Sequence, residues 1–426
     1  MKSYGLLERT VAKYLEAFPA VRNVSKTVYH RLNYLYFSEK GFQSALHPQV
    51  QLRTPAQWAE TEPESGELFF GYYDKSPWSP DMTQAVFHRL QENQVEIKLY
   101  NCTQHSCQTI GVSSTWNYQQ GSMTQWLPGS ERKIIFNDLV NGKLAASIVS
   151  PGGGEATIPW PVQVIHPSGK EALAINYKRL DQVSEYGYAV AAENFRSDLP
   201  TDQDGIWLIN LETGQGKLLI DLATLMAHQP RPEMADSEHQ INHLVYSPQG
   251  KRFIFMHRWT GPQGRFSRMY VANADGSDWR LLMDDRMVSH YSWRDEEHLL
   301  TWARIEAVGD RYYLINVVTG EWQIVGDGVL NSYGDGHPSY SPDRRWIVTD
   351  TYPNRARQRT LLLYEVATNR VTELGRFLAP WQFDGDKRCD LHPRWSPNGQ
   401  MISIDSAHEG RRMTYMLDVS AIIDGD

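Results

Sequence analysis

The chain has 426 residues, more than one ordinary domain core holds, so it is either several domains or one large repetitive one. Its formal net charge of −8 gives no global attraction to nucleic acid, and no run approaches the roughly 20 consecutive apolar residues of a membrane span. Cys102, Cys107 and Cys389 are too few for a disulfide framework or a cysteine-rich zinc site, while 12% aromatic residues with 31 Gly and 22 Pro favour an all-β chain.

In chain order, the first segment carries Lys2, Arg9 and Lys13. Its continuation GLLERTVAKYLEAF alternates apolar and charged residues at helical spacing, without the uninterrupted apolar core of a signal peptide. Residues 1–47 therefore read as a short helical extension, and the expected location is the cytoplasm. The apolar cluster LNYLYF in this extension is expected to pack on the rest of the chain; dimerisation and peripheral membrane contact are the other uses of such a surface.

From residue 48 to 426 one hairpin recurs: a short aromatic or apolar strand, a turn of the SPDG type, then a strongly apolar strand. The seven copies include SPWSPDMTQAVFHR, HLVYSPQGKRFIFMHR and HPRWSPNGQMISID. Anchored at Pro80, Pro128, Pro167, Pro248, Asp295, Pro342 and Pro397, they lie roughly 40–55 residues apart, save one interval of about 80. A second pair of strands follows most copies, as in GIWLINLETGQGKLLI and RYYLINVVTGEWQIV. Four strands per repeat make a propeller blade, so the expected fold is an all-β, seven-bladed β-propeller. The long interval reads as an insertion at about 177–204 in blade three, containing RSDLPTDQDG and serving as a lid or a surface elaboration. The last copy ends after its third strand, MTYMLDV, and VQLRT from Val50 is expected to supply the fourth and close the ring.

The residue five places before each turn is Lys75, Met123, Val162, His243, His290, His337 and His392. The inner strands of a propeller line its channel, so these residues should stand at one channel mouth. A single histidine there reads as a hydrogen-bonding residue of the fold; four in one register read as a site, suited to a metal or to acid–base chemistry near neutral pH. The second strand of each blade runs back to the same mouth and brings His88, Arg89, Lys178, Arg179, His257, Arg258, Arg304, Tyr352 and His408 nearby. In blade one the segment GYYDKSPW sets Tyr72, Tyr73, Asp74 and Lys75 where aromatic and charged groups can grip a sugar. No GxSxG, HExxH or kinase motif is present.

The last four blades resemble the oligogalacturonate lyases, through HLVYSPQGKRFIFMHR, RMYVANADGSDWRLL leading into SHYSW, DGHPSYSPD and DLHPRWSPNG in the same order. The turn phrases alone are shared with propellers of the TolB type. The resemblance implies cytoplasmic bacterial enzymes that split unsaturated uronate disaccharides by β-elimination. It places His243 at a catalytic histidine and His290 and His392 at manganese-binding histidines. The family's metal-binding run also has a Gln and a second His, where this chain has Lys387 and Asp390; Asp390 can ligate a metal and protonated Lys387 cannot. Lys178, Arg179 and Arg258 are the candidates for the family's catalytic arginine. GYYDKSPW looks like a segment of proteins from bacterial surface-polysaccharide gene clusters, which implies a substrate other than pectin fragments.

The expected activity is thus that of a lyase on an acidic oligosaccharide or polysaccharide. The catalytic candidates are His243, His257, Arg258, Arg179 and Lys178, and the substrate-binding ones Tyr72, Tyr73, Asp74, Lys75, Arg304, Tyr352 and Lys387. The metal-binding candidates, for Mn2+ or another divalent ion, are His290, His337, Asp390 and His392. Two alternatives stay open: a glycoside hydrolase, for which Asp74, Asp335 and Asp390 lie near the mouth, and a non-catalytic TolB-like scaffold for polysaccharide assembly.

Overall fold

The computed structural model describes residues 19–130, 132–183, 186–188 and 199–425. The segment GLLERTVAKYLEAF and part of RSDLPTDQDG lie outside the described residues. Seven antiparallel sheets follow one another along the chain, at 68–113, 125–158, 164–221, 238–283, 288–324, 339–378 and 394–418. These are the blades of a seven-bladed β-propeller. The middle strands are apolar on both faces because each blade is covered by its neighbours: Gln358–Glu365 in blade six is buried at every position.

The aromatic residue two places before the turn stitches the blades together. The indole N–H groups of Trp126, Trp293 and Trp395 donate to the carbonyls of Pro77, Val245 and Ser339 in the preceding blade, at 2.8–3.2 Å. Blade seven is closed by Gln51–Arg53, with Gln51 opposite Asp418 and Arg53 opposite Met416, as VQLRT led one to expect. The residues just before it depart from the reading as a helical extension. Ser44–Leu46 forms a fifth strand on blade six, with Ser44 opposite Phe377, and covers what would otherwise be an open edge.

The helix Pro19–Phe37 seats only part of its apolar cluster. Tyr34 meets Trp381 edge-on at 5.8 Å and Arg355 lies over Phe37, while Val28, Leu32, Leu35 and Tyr36 are exposed. Among the described residues no helix is long and apolar enough to cross a membrane. In blade three, the connection between Glu171–Ala174 and Gly205–Asn210 carries the helix Tyr177–Val183, and Tyr188 stacks on Tyr177 at 4.4 Å.

Candidate functional site

The seven register positions do not have the regular geometry of a strand. In blades four and five they lie within the inner strands Glu238–Tyr246 and Val288–Trp293, and the pairing slips there, between Asn242 and Val245 and between Val288 and Tyr291. His243 and His392 hold φ of 55° and 45°, in the left-handed region that non-glycine residues seldom occupy. Bulges of this kind re-aim a side chain, and here they turn the imidazoles inward.

The four histidines form a chain of ring contacts around two tyrosines of blade one. Ring centroids are 4.2 Å apart for His290 and His337 and 4.3 Å for His337 and His392, while His243 stacks on Tyr291 at 4.3 Å. Tyr72 stands at 5.0 Å from both His243 and His392, and 6.1 Å from Tyr186. Tyr186 belongs to the wall of a cleft of about 870 Å³, shared with Arg258, Arg286, His290, Arg304, Asp335, Tyr352 and Arg388. Tyr72 therefore links the buried histidines to the cleft.

Three histidines are anchored through Nδ1. That of His392 donates to the Gly71 carbonyl (2.8 Å), that of His337 to Asp350 (2.7 Å) and that of His290 to Asp335 (3.0 Å). Each is left with Nε2 for a ligand, the arrangement in which a second-shell acceptor fixes a metal-binding tautomer. His243 has no anchor among the described residues: both its ring nitrogens are buried without a hydrogen bond there. Burial holds its pKa well below the ordinary value, and His290, Lys75 and Arg258 add to the effect; burial does the same to His392. Burial alone would raise the Asp390 carboxyl, but Arg359 and Arg388, both at 2.7 Å, hold it well below the usual range.

Donor atoms of His337, Asp390 and His392 lie within 4.8 Å of one another, all buried. The set fits a divalent metal: two imidazoles with Nε2 to offer, the His392 Nε2 buried without a partner, and a carboxylate kept ionised. His290 touches this group through His337 but stands outside it, tied to Asp335.

Other expected site residues go elsewhere. His257 is the alternate neighbour of Arg258 on its strand, so it points to the opposite face of the sheet. There it is bonded to His239 at 2.9 Å and receives Arg268 at 3.2 Å. Arg179 is neutralised by Asp204 and also holds the Leu199 carbonyl, which fastens the blade-three insertion. Lys178 lies on the same helix beside Asp181, away from the cleft lining. Tyr73 spends its hydroxyl on the Tyr291 backbone, donating to the carbonyl and accepting from the N–H at 2.9 Å each. Asp74 and Lys75 pair with each other at 2.8 Å. Lys387 is exposed and not part of the cleft lining; its carbonyl accepts from Arg412. Arg304 lines the cleft but is bound twice to Asp310, and Tyr352 lines it with 41% exposure. His88 and His408 are buried within their own neighbourhoods, bonded to Thr124 and Ser406.

Sequence reasoning missed Tyr186, Arg388, Arg359 and Asp350. Tyr186 comes from the insertion and accepts a hydrogen bond from Arg388 at 3.1 Å, so the insertion does contribute to the cleft wall. Arg388 carried a legible signal, since it stands two residues before Asp390 and hence on the same side of an extended segment.

No protein-family model and no curated protein matches the chain. Solved structures do. An oligogalacturonate lyase from Vibrio parahaemolyticus superposes with a TM-score of 0.62 at 15% identity, over 88% of this chain and 96% of that one. An oligogalacturonate lyase in complex with manganese gives 0.62 at 14% identity over the same shares. Puromycin hydrolase gives 0.51 at 12% identity, over 85% of this chain and 55% of that one. The class is therefore a seven-bladed β-propeller. Nearly end to end, the chain has the architecture of the oligogalacturonate lyases, a likeness of fold.

Proposed function

We propose that the protein is a polysaccharide or oligosaccharide lyase that cleaves a uronate-containing bacterial glycan by β-elimination, with His243 as the base. The observation that carries this reading is the pairing of an unanchored imidazole with an unneutralised cation. Burial keeps His243 uncharged, and Arg258 on the cleft wall bonds through Nε to the Met256 sulfur and meets no carboxylate among the described residues.

In such a reaction the imidazole removes the proton on the carbon bearing the uronate carboxylate, and charge flows onto the carboxylate oxygens. A guanidinium facing those oxygens stabilises that charge, and Arg258 is the group suited to it. His337, His392 and Asp390 would hold a divalent ion such as Mn2+, which would supply further positive charge at the substrate's acidic groups. The hydrolase reading needs two free carboxylates across the bond. Asp335 lines the cleft, but Asp74 is paired with Lys75 and Asp390 with two arginines.

The test is incubation with a panel of uronate-containing glycans, read by mass and by ultraviolet absorbance. Elimination conserves total mass and gives a double bond conjugated to the carboxylate; hydrolysis adds water and gives none. His243→Ala should lower turnover by about 10²–10⁴-fold while sugar binding persists. An unchanged rate in that variant removes His243 from the mechanism.

A further inference from the structure

Tyr72 and Tyr73 are adjacent, both buried among the histidines, yet differently employed. Tyr73 uses its hydroxyl twice on the Tyr291 backbone, whereas the Tyr72 hydroxyl makes no hydrogen bond among the described residues. A tyrosine buried to this degree normally finds a partner. The groups that act electrostatically on this hydroxyl include Tyr186, Arg258 and Tyr352, all on the cleft wall. Its ring meanwhile stands edge-on to His243 at 5.0 Å. A tyrosine with an unused hydroxyl and a histidine with an unused imidazole are thus in ring contact, beside Tyr186 of the cleft wall.

We propose that Tyr72 is the catalytic acid of the elimination and works with His243 from one side of the sugar, so that the substrate is a 4-linked uronate of gluco or manno configuration. The inference rests on the lyase reading above and specifies its substrate. In those sugars the C5 hydrogen and the C4 oxygen lie on the same face of the ring; in the galacto isomer they lie on opposite faces. An acid in ring contact with the base cannot serve the second arrangement, which needs the proton donor across the sugar.

The step balances without a co-reactant. The C5–H bond breaks, its proton goes to a His243 nitrogen and its electron pair forms the C4=C5 double bond. The C4–O bond breaks, and its oxygen leaves with the Tyr72 proton as the hydroxyl of the departing sugar. The resulting imidazolium and tyrosinate are neighbours, and a proton passing from one to the other restores both.

Two measurements on the full chain test the proposal. Initial rates of conjugated double-bond formation are compared on 4-linked polyglucuronate, polymannuronate and polygalacturonate. Tyr72→Phe is then compared with the wild type on the preferred polymer and on the corresponding uronate bearing 4-nitrophenol at C4, a leaving group that departs without a proton. Reaction of the gluco or manno polymer with the galacto polymer inert is expected. So is a loss of about 10²–10⁴-fold for Tyr72→Phe on the polymer and a far smaller one on the nitrophenyl substrate. Cleavage of polygalacturonate at a comparable or higher rate overturns the one-sided pair and leaves the lyase reading standing. Equal losses on both leaving groups overturn the acid role and make Tyr72 a residue that shapes the site. If no uronate yields a double bond, the lyase reading itself falls, and this inference with it. Because the hydroxyl removed bonds to nothing among the described residues, the Phe variant should melt with the wild type, which a thermal scan checks.

Discussion

Asp350 orients two of the candidate metal ligands at once, and removing its charge should weaken both metal binding and folding. It ends the strand Trp346–Asp350 with 1% exposure. One oxygen accepts from His337 Nδ1 at 2.7 Å and from the His337 backbone N–H at 2.9 Å, and the other accepts from the His392 backbone N–H at 3.2 Å. Asp350→Asn keeps the shape and one acceptor, but its amide group must then face a donor. Loss of a second-shell partner of this kind typically weakens metal binding about 10–100-fold. That corresponds to about 1.4–2.7 kcal/mol of binding free energy. One buried donor left unpaired costs about 1–3 kcal/mol of folding stability as well. The assay is calorimetric titration of chelator-stripped protein with MnCl2, with melting curves in parallel. Asp343→Asn, on the exposed turn of the same hairpin, is the control that should change neither. A variant that melts lower yet binds Mn2+ like the wild type would refute the orienting role, and a wild type without affinity for any divalent ion would remove the site.

Three further outcomes follow from the packing. His88 is fully enclosed, and burial pushes its pKa down to about 4 from the 6.5 of a free imidazole. The unfolded chain therefore binds this proton first, so the contribution of His88 is complete above about pH 6.5 and lost as pH falls toward 4, by roughly 3 kcal/mol. Melting temperatures of wild type and His88→Gln across that window should converge at the acid end. Gly121→Ala should destabilise by about 2 kcal/mol or more, because φ is +59° and the new Cβ would stand 2.2 Å from the His88 ring; urea unfolding measures it, and a loss below 0.5 kcal/mol would contradict the packing. Tyr73→Phe leaves the Tyr291 N–H and carbonyl without their partner and should cost about 1–3 kcal/mol by the same measurement, with an unchanged midpoint counting against the role assigned to that hydroxyl.

The repeat was legible because each blade repeats its turn and six of the seven an aromatic residue two places earlier, whose indole reaches the preceding blade in Trp126, Trp293 and Trp395. Closure by Gln51–Arg53 was legible because the last copy lacks a strand. Ser44–Leu46 was not, since three residues are too short to show a period. The histidine register brought four imidazoles into one cluster around Tyr72 and Tyr73. What it could not convey was which side of each returning strand faces inward, and this is why Arg258 lines the cleft while His257 lies in the blade. Arg359 and Asp350 act across blades, as contacts far apart in sequence. Arg359 in blade six meets Asp390 in the next connection, and no local pattern announces such a pairing.

The backbone at the mouth separates what the fold requires from what the site requires. Met123, His243 and His392 occupy one register and all have positive φ, at 57°, 55° and 45°. Met123 shares the conformation without the chemistry, and Lys75, Val162, His290 and His337 of the same register do not share it, so positive φ alone does not mark the site. A non-glycine residue held there costs about 1–3 kcal/mol, which glycine would avoid. The strain at Met123 is offset by packing, because its side chain is buried in an apolar cluster. His243 and His392 are packed as well, on Tyr291 and Tyr72, but His243 leaves both nitrogens and His392 leaves Nε2 without a partner among the described residues. A position that bears backbone strain and buries an unpaired polar atom loses stability twice. The same two positions are where an imidazole nitrogen would meet a proton or a metal, so strain and an unpaired buried nitrogen coincide where the lyase reading assigns chemistry.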